Sequence, residues 1–425
     1  MTFNEIRDVL FARGRFGIRP GLDTIRRILE RLDHPERRFP VIHVAGTNGK
    51  GSTAAFLASI LHEGGYRTGL FTSPHLISFT ERFRINVRDI TEEALVPLAE
   101  EVLAAAPGEA TFFELATALA LLFFAREQVD LAVLEVGMGG RLDATNAVSG
   151  ILTIITPISL DHCRYLGDTI KEIAAEKAGV ITGKAPVVCS SQDREAMEVI
   201  AARSVAFAAP LYQCGREFRA EWRGDGLMYH GLNAALSGLS PGIPGDYQRD
   251  NAACALAAAE ILAMGGCPLD FASLSRGIEV ASWPGRMELF PGPPRLLLDG
   301  AHNPAGVAAL LTSLARIERE RLILVVGVMA DKDQEGVLDP LLPHADEVIT
   351  VSVALPLATP AVDLAEFCTA RGAARTTVAE DVARGLTLAE ERAGTRDLIL
   401  VTGSLYLVGE ARGLLLRRPS YPFQG

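Results

Sequence analysis

The sequence of 425 residues predicts an α/β protein: a doubly wound, mostly parallel sheet followed by a smaller, Rossmann-like α/β domain. Short apolar segments alternate with helical segments over most of the chain, which is typical of a parallel sheet covered by helices on both faces. The alternation stops near the proline-rich segment 291–294 and then restarts, which indicates a boundary between domains at 1–285 and 286–425. With 48% hydrophobic and 22% charged residues, the chain has ample material for both cores.

Apolar, β-branched runs that end at glycine, proline or a polar residue predict the strands of the first half, and helical periodicity predicts its helices. The expected strands are 41–44, 67–72, 129–136, 150–156 and 185–189. The expected helices are 4–13, 22–32, one that opens at Ser52, 91–105, 111–127, 168–178 and 193–203. Because the two types alternate, most neighbouring strands are expected to run parallel.

Residues 205–247 contain short alternating segments separated by glycines, which predicts a small antiparallel excursion. Helices at 248–264 and 270–278 follow it. Beyond the proline-rich segment, the expected elements are strands at 295–298, 322–328, 347–351 and 397–401, and helices at 304–317, 334–342, 377–392 and 405–416. This second alternation predicts the smaller domain.

The segment VIHVAGTNGKGST at 41–53 joins a buried strand to a helix through a glycine-rich turn. Gly46 and Gly49 allow the backbone to turn tightly and to approach a ligand closely. The free N–H groups and the dipole of the following helix attract anions, and Lys50 adds a full positive charge. The segment therefore predicts a P-loop that holds nucleotide phosphates.

The spacing departs from the common P-loop pattern, which places glycine at position 44 and serine or threonine at position 51. Val44 and Gly51 occupy these positions here. The alternative is a glycine-rich turn that carries a lysine by chance. The strand before the turn and the helix after it favour the phosphate-binding interpretation.

Several polar residues lie at or just beyond the carboxyl ends of predicted strands, where ligands bind in doubly wound sheets. Ser73, Glu135 and the pair Asp161-His162 all do so, and so does Lys50. A carboxylate such as Glu135 at the end of an apolar strand is costly unless it is paired with a cation or metal. The alternatives are that Glu135 is solvated and that His162 is structural.

The segment LDGAHNP repeats this arrangement in the second half. Asp299 ends a predicted strand, His302 lies in the turn, and Pro304 opens a helix. Arg286, next to the predicted boundary, suits a phosphate. The alternative is that Asn303 simply caps the helix and the other polar groups have no role.

Composition excludes several classes of function. A net charge of −11 without a basic run argues against a nucleic-acid partner. The apolar run 115–125 is too short to span a bilayer, and the first residues, MTFNEIRDVLF, do not form a signal peptide, so we expect no membrane partner. The six cysteines include no CxxC pair, which predicts reduced thiols in a cytoplasmic protein.

A series of longer motifs resembles the bacterial folylpolyglutamate synthase and dihydrofolate synthase family of the Mur ligase superfamily, in order and over nearly the whole chain. The motifs are HVAGTNGKGS, TSPHL, TFFELATALAL, LEVGMGGRLDATN, SLDH, EKAGV, YQRDNAACAL, WPGRME, LDGAHNP, GVMADKD and TGSLYLVGEAR. Several of them are specific to the family rather than general nucleotide motifs.

The resemblance implies a monomeric, ATP-dependent ligase that joins L-glutamate to dihydropteroate and to the glutamate tail of reduced folates through an acyl phosphate. It implies ATP as co-substrate and Mg²⁺ at two sites. Three alternatives remain: an enzyme that only extends the tail, another Mur-type amino-acid ligase, and a P-loop nucleotide switch. Only about forty residues precede the phosphate loop, which argues against a cell-wall Mur ligase, because such an enzyme normally carries a further N-terminal domain. A switch would not need LDGAHNP in a second domain.

The resemblance also implies roles for individual residues. The implied catalytic residues are Lys50, His162, Lys177 and His302. The implied ATP-binding residues are Thr47, Asn48, Gly49, Lys50, Gly51, Ser52, Asn251, Arg286 and Asp299. The implied metal ligands are Ser73, Glu135, His162 and Lys177, the last as a carbamate. The implied substrate-binding residues are Phe113, Glu114, Leu142 and Asp143, with the loop 17–21 as a lid. Arg82, Arg84, Arg141 and Arg286 supply positive charge for the anionic substrates.

Overall fold

The computed structural model describes residues 1–17 and 21–421, and these residues form three β-sheets. The strands are β1 (Val41–Ala45), β2 (Thr68–Phe71), β3 (Phe83–Ile85), β4 (Arg88–Asp89), β5 (Leu131–Glu135), β6 (Leu152–Ile155), β7 (Val187–Cys189), β8 (Leu211–Gln213), β9 (Arg219–Arg223), β10 (Gly226–His230), β11 (Ala235–Leu239), β12 (Glu288–Phe290), β13 (Arg295–Leu298), β14 (Leu322–Val326), β15 (Glu347–Thr350), β16 (Thr376–Val378) and β17 (Leu398–Thr402).

The helices lie mostly between these strands. They are α1 (Phe3–Ala12), α2 (Asp23–Arg31), α3 (Lys50–Glu63), α4 (Glu92–Ala105), α5 (Phe112–Arg126), α6 (Cys163–Leu166), α7 (Ile170–Ala178), α8 (Arg194–Ala206), α9 (Gln248–Met264), α10 (Phe271–Val280), α11 (Pro304–Leu314), α12 (Gln334–Leu338), α13 (Ala361–Ala370), α14 (Val382–Arg392) and α15 (Leu405–Leu415).

The first sheet has eight strands in the order β4-β3-β2-β5-β1-β6-β7-β8. It is parallel from β2 to β8, and β3 and β4 add an antiparallel edge. The central strand β1 pairs with β5 on one side and β6 on the other, and Val44 lies opposite Glu135. The loop after β1 and the carboxylate that ends β5 therefore meet at the same edge of the sheet.

The second large sheet has six strands in the order β12-β13-β17-β14-β15-β16 and is parallel except for β12. Its central strands β14 and β17 are apolar and fully buried, as in Leu322–Val326, because helices cover both faces. The two large sheets confirm the predicted α/β fold. They lie on either side of the predicted boundary at 285/286, although the division into domains 1–285 and 286–425 stays a prediction.

The third sheet confirms the antiparallel excursion expected in 205–247. Strands β9, β10 and β11 pair in the order β11-β10-β9, and their apolar side chains pack against α9. The buried carboxylate of Glu260 on α9 accepts hydrogen bonds from the Tyr229 hydroxyl at 2.7 Å and from three consecutive backbone N–H groups, 232–234, at 2.6–2.9 Å. This carboxylate therefore fixes the small sheet to the main body of the protein.

Two sequence-based expectations are wrong, one in the second half and one at the loop, and one helix was missed. The helix expected at 377–392 begins at Val382, because Asp381 caps it through Arg384 N and the β-branched residues before it form β16. Helix α13 was not predicted at all, although Leu364 and Cys368 give it a buried face at i, i+4 spacing. Helix α3 begins at Lys50 rather than Ser52.

Two other observations concern the whole described chain. No helix within 1–17 and 21–421 is long and apolar enough to cross a membrane. All six cysteines are free thiols, as their spacing predicts.

Replacing Glu260 tests the attachment of the small sheet. We expect Glu260→Ala to destabilise the protein by about 3 kcal/mol, because it leaves several buried donors without an acceptor. Tyr229→Phe removes a single donor and is expected to cost about 1 kcal/mol. Thermal or urea unfolding measures both, with the exposed Glu221→Ala as control; equal stabilities of the three variants would contradict the assignment.

Candidate active site between the two large sheets

The loop after β1 has the backbone geometry of an anion-binding turn. Gly46 and Gly49 have φ values of 142° and 86°, a region that favours glycine, and a Cβ on Gly49 would clash with the Asn251 side chain. Gly49 is the N-cap of α3, and no side chain caps the helix. The first N–H groups of α3 are thus free for a ligand, and the helix dipole favours an anion there.

Other parts of the loop are held in place by the segment that follows β6. The N–H groups of Thr47 and Asn48 donate to the Pro157 carbonyl at 2.9 and 3.2 Å, and the Thr47 hydroxyl bonds both backbone groups of Ser159 at 3.1 Å. Lys50 Nζ donates to the Thr47 carbonyl at 3.1 Å. Of the predicted ATP-binding residues, Thr47 and Asn48 thus hold the loop in its conformation. The backbone N–H groups of Lys50, Gly51 and Ser52 are the ones that a ligand could reach.

Glu135 is buried at the end of β5, beside this loop. Its Oε2 accepts a hydrogen bond from Ser73 N at 3.0 Å, which brings two of the predicted metal ligands together. Burial raises the pKa of Glu135, and the positive charges of Lys50 and Arg286 oppose that rise. Arg286 belongs to the second half, so both halves contribute charge around this carboxylate.

Lys177 is fully enclosed in the last turn of α7, where a helix lysine is ordinarily solvated. Its Nζ donates to the Gly46 carbonyl at 2.7 Å, so it lies against the phosphate loop. Burial, together with the charge of Lys50, lowers the pKa of Lys177 to about 7. Burial therefore favours the neutral, nucleophilic form of this amine.

Asp161 joins the two halves of the protein. Its Oδ1 accepts from Lys332 Nζ at 2.6 Å, and its Oδ2 accepts from Asn303 Nδ2 at 3.0 Å and lies 3.5 Å from His302 Nε2. Burial alone would raise the pKa of Asp161, but the hydrogen bond and charge of His302 and the charge of Lys332 hold it well below its usual range. Asp161 is therefore a carboxylate anion. Next to it, the His162 ring is exposed, with Nε2 4.0 Å from Asp161 Oδ1.

A reciprocal amide pair lies beside this ion cluster. Asn48 Nδ2 donates to Asn303 Oδ1 at 3.1 Å, and Asn303 Nδ2 donates back to Asn48 Oδ1 at 3.0 Å. Asn303 also caps α11 through Gly306 N at 2.8 Å. Asn303 is thus a helix cap, and through Asn48 it also contacts the phosphate loop, whereas the roles predicted for Asp299 and His302 stay predictions.

Two further predicted ATP-binding residues are Asp299, in the second half, and Asn251, on α9. Asp299 is buried and accepts from the Tyr247 hydroxyl, Met287 N and Ala301 N at 2.9–3.0 Å, and burial raises its pKa. Asn251 donates to Gln248 at 2.8 Å, and Gln248 donates to the Ser52 hydroxyl at 3.3 Å. These two short networks connect α9 with the phosphate loop and with the second half.

The predicted substrate-binding residues lie near the loop 137–140 that follows Glu135, with one exception. The Phe113 ring covers Gly137, and Asp143 accepts from Met138 N at 3.0 Å; Leu142, half-buried, precedes it. The Glu114 carboxylate instead bonds Thr111 in the capping box of α5, at 2.8 Å. Residues 18–20 of the predicted lid lie outside the described residues.

A cleft opens beside these groups. Ser73, Glu135 and Arg84 line it from the first half, and Trp283, Arg286 and Leu405 line it from the boundary segment and the second half. Sequence reasoning did not identify Lys332, Trp283 or Tyr247. Lys332 lies within GVMADKD and Trp283 within WPGRME, so the motifs contained both residues but position alone assigned them no role.

The predicted metal ligands suit a hard divalent cation. Among residues 1–17 and 21–421 no cluster of three His, Cys, Asp or Glu side chains is arranged to bind a metal, and the predicted set contains only two of these types, Glu135 and His162. Of the Glu135 carboxylate, Oε2 bonds Ser73 N, and Oε1 has no hydrogen bond within the described chain. The carboxylate oxygens of Glu135 fit Mg²⁺ or Mn²⁺, and imidazole is a more usual ligand of transition metals than of Mg²⁺. Lys177 fits only if its amine carries a group that provides an oxygen ligand.

Comparison with known proteins agrees with this geometry. Residues 44–259 match the Mur ligase middle domain, and residues 285–405 match the Mur ligase, glutamate ligase domain. The dihydrofolate synthase/folylpolyglutamate synthase of Bacillus subtilis is 36% identical over 97% of this chain and 98% of its own length.

Two solved structures are similar over nearly their whole length. FolC of E. coli, in complex with DHPP and ADP, has a TM-score of 0.89 and 31% identity, with 97% of this chain and 98% of that chain covered. The bifunctional folylpolyglutamate synthase/dihydrofolate synthase of Yersinia pestis, complexed with AMPPNP and Mn ion, has a TM-score of 0.88 and 32% identity, with 98% of both chains covered.

Replacing Asp161 tests its role at the junction. We expect Asp161→Ala to reduce kcat about 100-fold and to destabilise the protein by about 3 kcal/mol, because Lys332 keeps its charge but loses its buried partner. The matched control is Arg316→Ala, which removes the ion pair at 2.9 Å between the exposed Arg316 and the half-buried Asp246, a pair that also joins the two halves. The control is expected to behave like the unchanged protein. If both variants lose activity equally, Asp161 has no special role.

Proposed function

The chain belongs to the Mur ligase family, among the dihydrofolate synthase/folylpolyglutamate synthases, and we propose that it has both activities. It would then use ATP to join L-glutamate to dihydropteroate and to the glutamate tail of reduced folates. The observation that carries the proposal is the convergence of both halves on one phosphate loop. Lys50 and Glu135 come from the first half, and Arg286 and Asn303 reach the same place from the second.

The reaction proceeds in two steps. The carboxylate of the pteroate or folate attacks the γ-phosphoryl group of ATP, giving an acyl phosphate and ADP. The amine of L-glutamate then attacks the acyl carbon, an amide bond forms, inorganic phosphate leaves, and the amine loses its proton. Lys50 and the open N–H groups of α3 stabilise the charge on the phosphoryl oxygens, and Arg286 adds positive charge from the second half.

ATP and a divalent metal are the cofactors we propose, with Mg²⁺ at two sites as the specific form. Ser73, Glu135 and His162 would hold it, and a bound divalent cation would neutralise phosphate charge and polarise the phosphoryl group. Lys177 would join them as a carbamate. Its burial beside Gly46 supports this, because carbon dioxide adds to a neutral amine and turns a cation into an anionic oxygen ligand.

For the remaining sites we propose that Asn251 and Asp299 help to bind ATP, that His302 acts beside Asp161, and that Phe113, Leu142 and Asp143 lie on the pterin side. Arg82 and Arg84 supply charge for the anionic substrates near the cleft. Arg141 instead pairs with Glu176 at 2.8 Å and is the weakest member of the predicted basic set.

We propose that the protein is a monomer whose only partners are its small-molecule substrates. The six free thiols support a reducing compartment such as the cytoplasm.

Phosphate release tests the proposed reaction. With ATP, Mg²⁺ and L-glutamate we expect turnover both with dihydropteroate and with a reduced folate monoglutamate, and loss of it with EDTA. Lys50→Ala is expected to reduce kcat about 10³-fold, because phosphoryl charge loses its nearest cation. The exposed Lys184→Ala is the control. Turnover with the folate alone would leave a tail-extending synthase, and no glutamate-dependent turnover with either acceptor would refute the folate assignment.

The Lys177 carbamate has its own measurement. In ¹³C-bicarbonate the protein is expected to show a carbamate carbonyl resonance that is absent from Lys177→Arg and retained in Lys184→Ala. We expect Lys177→Ala to lose at least about 100-fold in kcat, because an anionic ligand is removed. A fully active Lys177→Arg variant would rule the carbamate out.

A further inference from the structure

Arg82 is a buried cation that forms no ion pair with a carboxylate of the described residues. Its residue is 2% exposed, and it lies over the Phe112 ring at 5.0 Å. Within the described chain, the guanidinium makes a single hydrogen bond, from Nε to His75 Nδ1 at 2.8 Å, and no carboxylate lies within ion-pair distance. Burial lowers the pKa of Arg82 to about 10, so it stays charged at neutral pH.

A buried charge without a partner is costly, so this guanidinium points to an anionic ligand. The neighbouring residues Glu81 and Arg84 line the cleft, as does Glu135, whose charge acts on Arg82. The planar fork of an arginine matches a carboxylate, and both the folate acceptor and L-glutamate carry carboxylates. The free nitrogens of Arg82 are therefore suited to one of the two.

His75 fixes the orientation of this guanidinium. Its Nε2 lies 2.8 Å from the Tyr421 carbonyl, which can only accept, so the ring proton is on Nε2. The unprotonated Nδ1 is then the acceptor for Arg82 Nε. The ring also contacts the rings of Phe11 and Phe79, which lie against each other, at centroid distances of 6.2 and 6.1 Å. The imidazole therefore has one tautomer and one orientation.

The carbonyl that sets this tautomer comes from the opposite end of the chain. After α15, Arg418 N donates to the Gly413 carbonyl at 2.8 Å and turns the chain back. Tyr421 N then donates to the Ile77 carbonyl at 2.9 Å, and Ser420 Oγ donates to the Leu76 carbonyl at 3.3 Å. The Arg7 guanidinium covers the Tyr421 ring at 4.3 Å. We call residues 420–421 the strap.

We propose that the strap and His75 position Arg82 to bind a carboxylate of the folate acceptor or of L-glutamate. His75 is a positioning residue, because it acts through Arg82. The inference rests on the proposed function and adds to it a contribution from the C-terminal strap, which crosses to the first half and completes a substrate site there.

Two shortened chains test the strap. One ends at Arg418 and lacks it; the control ends at Pro422 and keeps the Tyr421 carbonyl as an amide. We expect KM for one carboxylate substrate to increase about tenfold in the chain that ends at Arg418. Because only the orientation of the Arg82 guanidinium is lost, kcat and KM for ATP are expected to change less than twofold. The affected substrate, folate or glutamate, identifies the carboxylate.

Equal KM values for the two shortened chains would overturn the proposal, as would a loss confined to kcat. If the full chain and the control also lack glutamate-dependent turnover, the proposed function itself fails, which is a different result.

A pair of full-length variants gives the same test without shortening the chain. In His75→Asn the amide oxygen replaces Nδ1 and still accepts from Arg82, whereas in His75→Gln the amide lies near Nε2 and leaves Arg82 Nε without its acceptor. We expect KM for the carboxylate substrate to rise about tenfold in His75→Gln and less than threefold in His75→Asn. A larger increase of KM in His75→Asn than in His75→Gln, or equal increases, would overturn the proposal that His75 positions Arg82. Thermal unfolding checks that both variants are folded.

Discussion

The contact on which the rest of the site depends is the buried ion cluster of Asp161. This carboxylate extends from the first sheet, and its partners Lys332, His302 and Asn303 all belong to the second half. When a buried carboxylate loses one such partner, the free-energy cost of its desolvation is no longer offset, and the folded protein is destabilised. The relative position of the two halves is therefore coupled to full satisfaction of one small group of charges. Because Asn303 also bonds Asn48, that position is transmitted directly to the phosphate loop.

Charge is concentrated where an acidic protein needs it. The chain carries a net charge of −11, yet Lys50, Arg286 and Arg82 all lie close enough to the buried carboxylate of Glu135 for their charges to act on it. In a site of low polarity such cations attract anionic substrates far more strongly than surface charges do. The cost of burying them is recovered when nucleotide and carboxylates bind.

Much of the fold followed from local pattern, because buried parallel strands are apolar runs with glycine or proline at their ends, as in Leu131–Glu135 and Leu322–Val326. Helix α13 and strand β16 did not, because at the edge of a sheet both patterns are short and partly polar. Glu135 and Asp161 could be identified from the carboxyl ends of strands. Lys177 could not, because a lysine within a helix is ordinarily exposed and only the fold reveals that this one is buried. The strap lay beyond any local pattern.

The separation in sequence of the contacts at the cleft has a consequence for synthesis. Asn48 meets its partner 255 positions later, and His75 meets the Tyr421 carbonyl 346 positions later. During synthesis on a ribosome the first sheet can form early. The contact of Asn48 with the second half forms only after Asn303 has emerged, and His75, which orients Arg82, meets its partner only after Tyr421 has emerged. A chain that is still being synthesised therefore carries the phosphate loop before the contacts that hold Asn48 and His75 from the second half have formed.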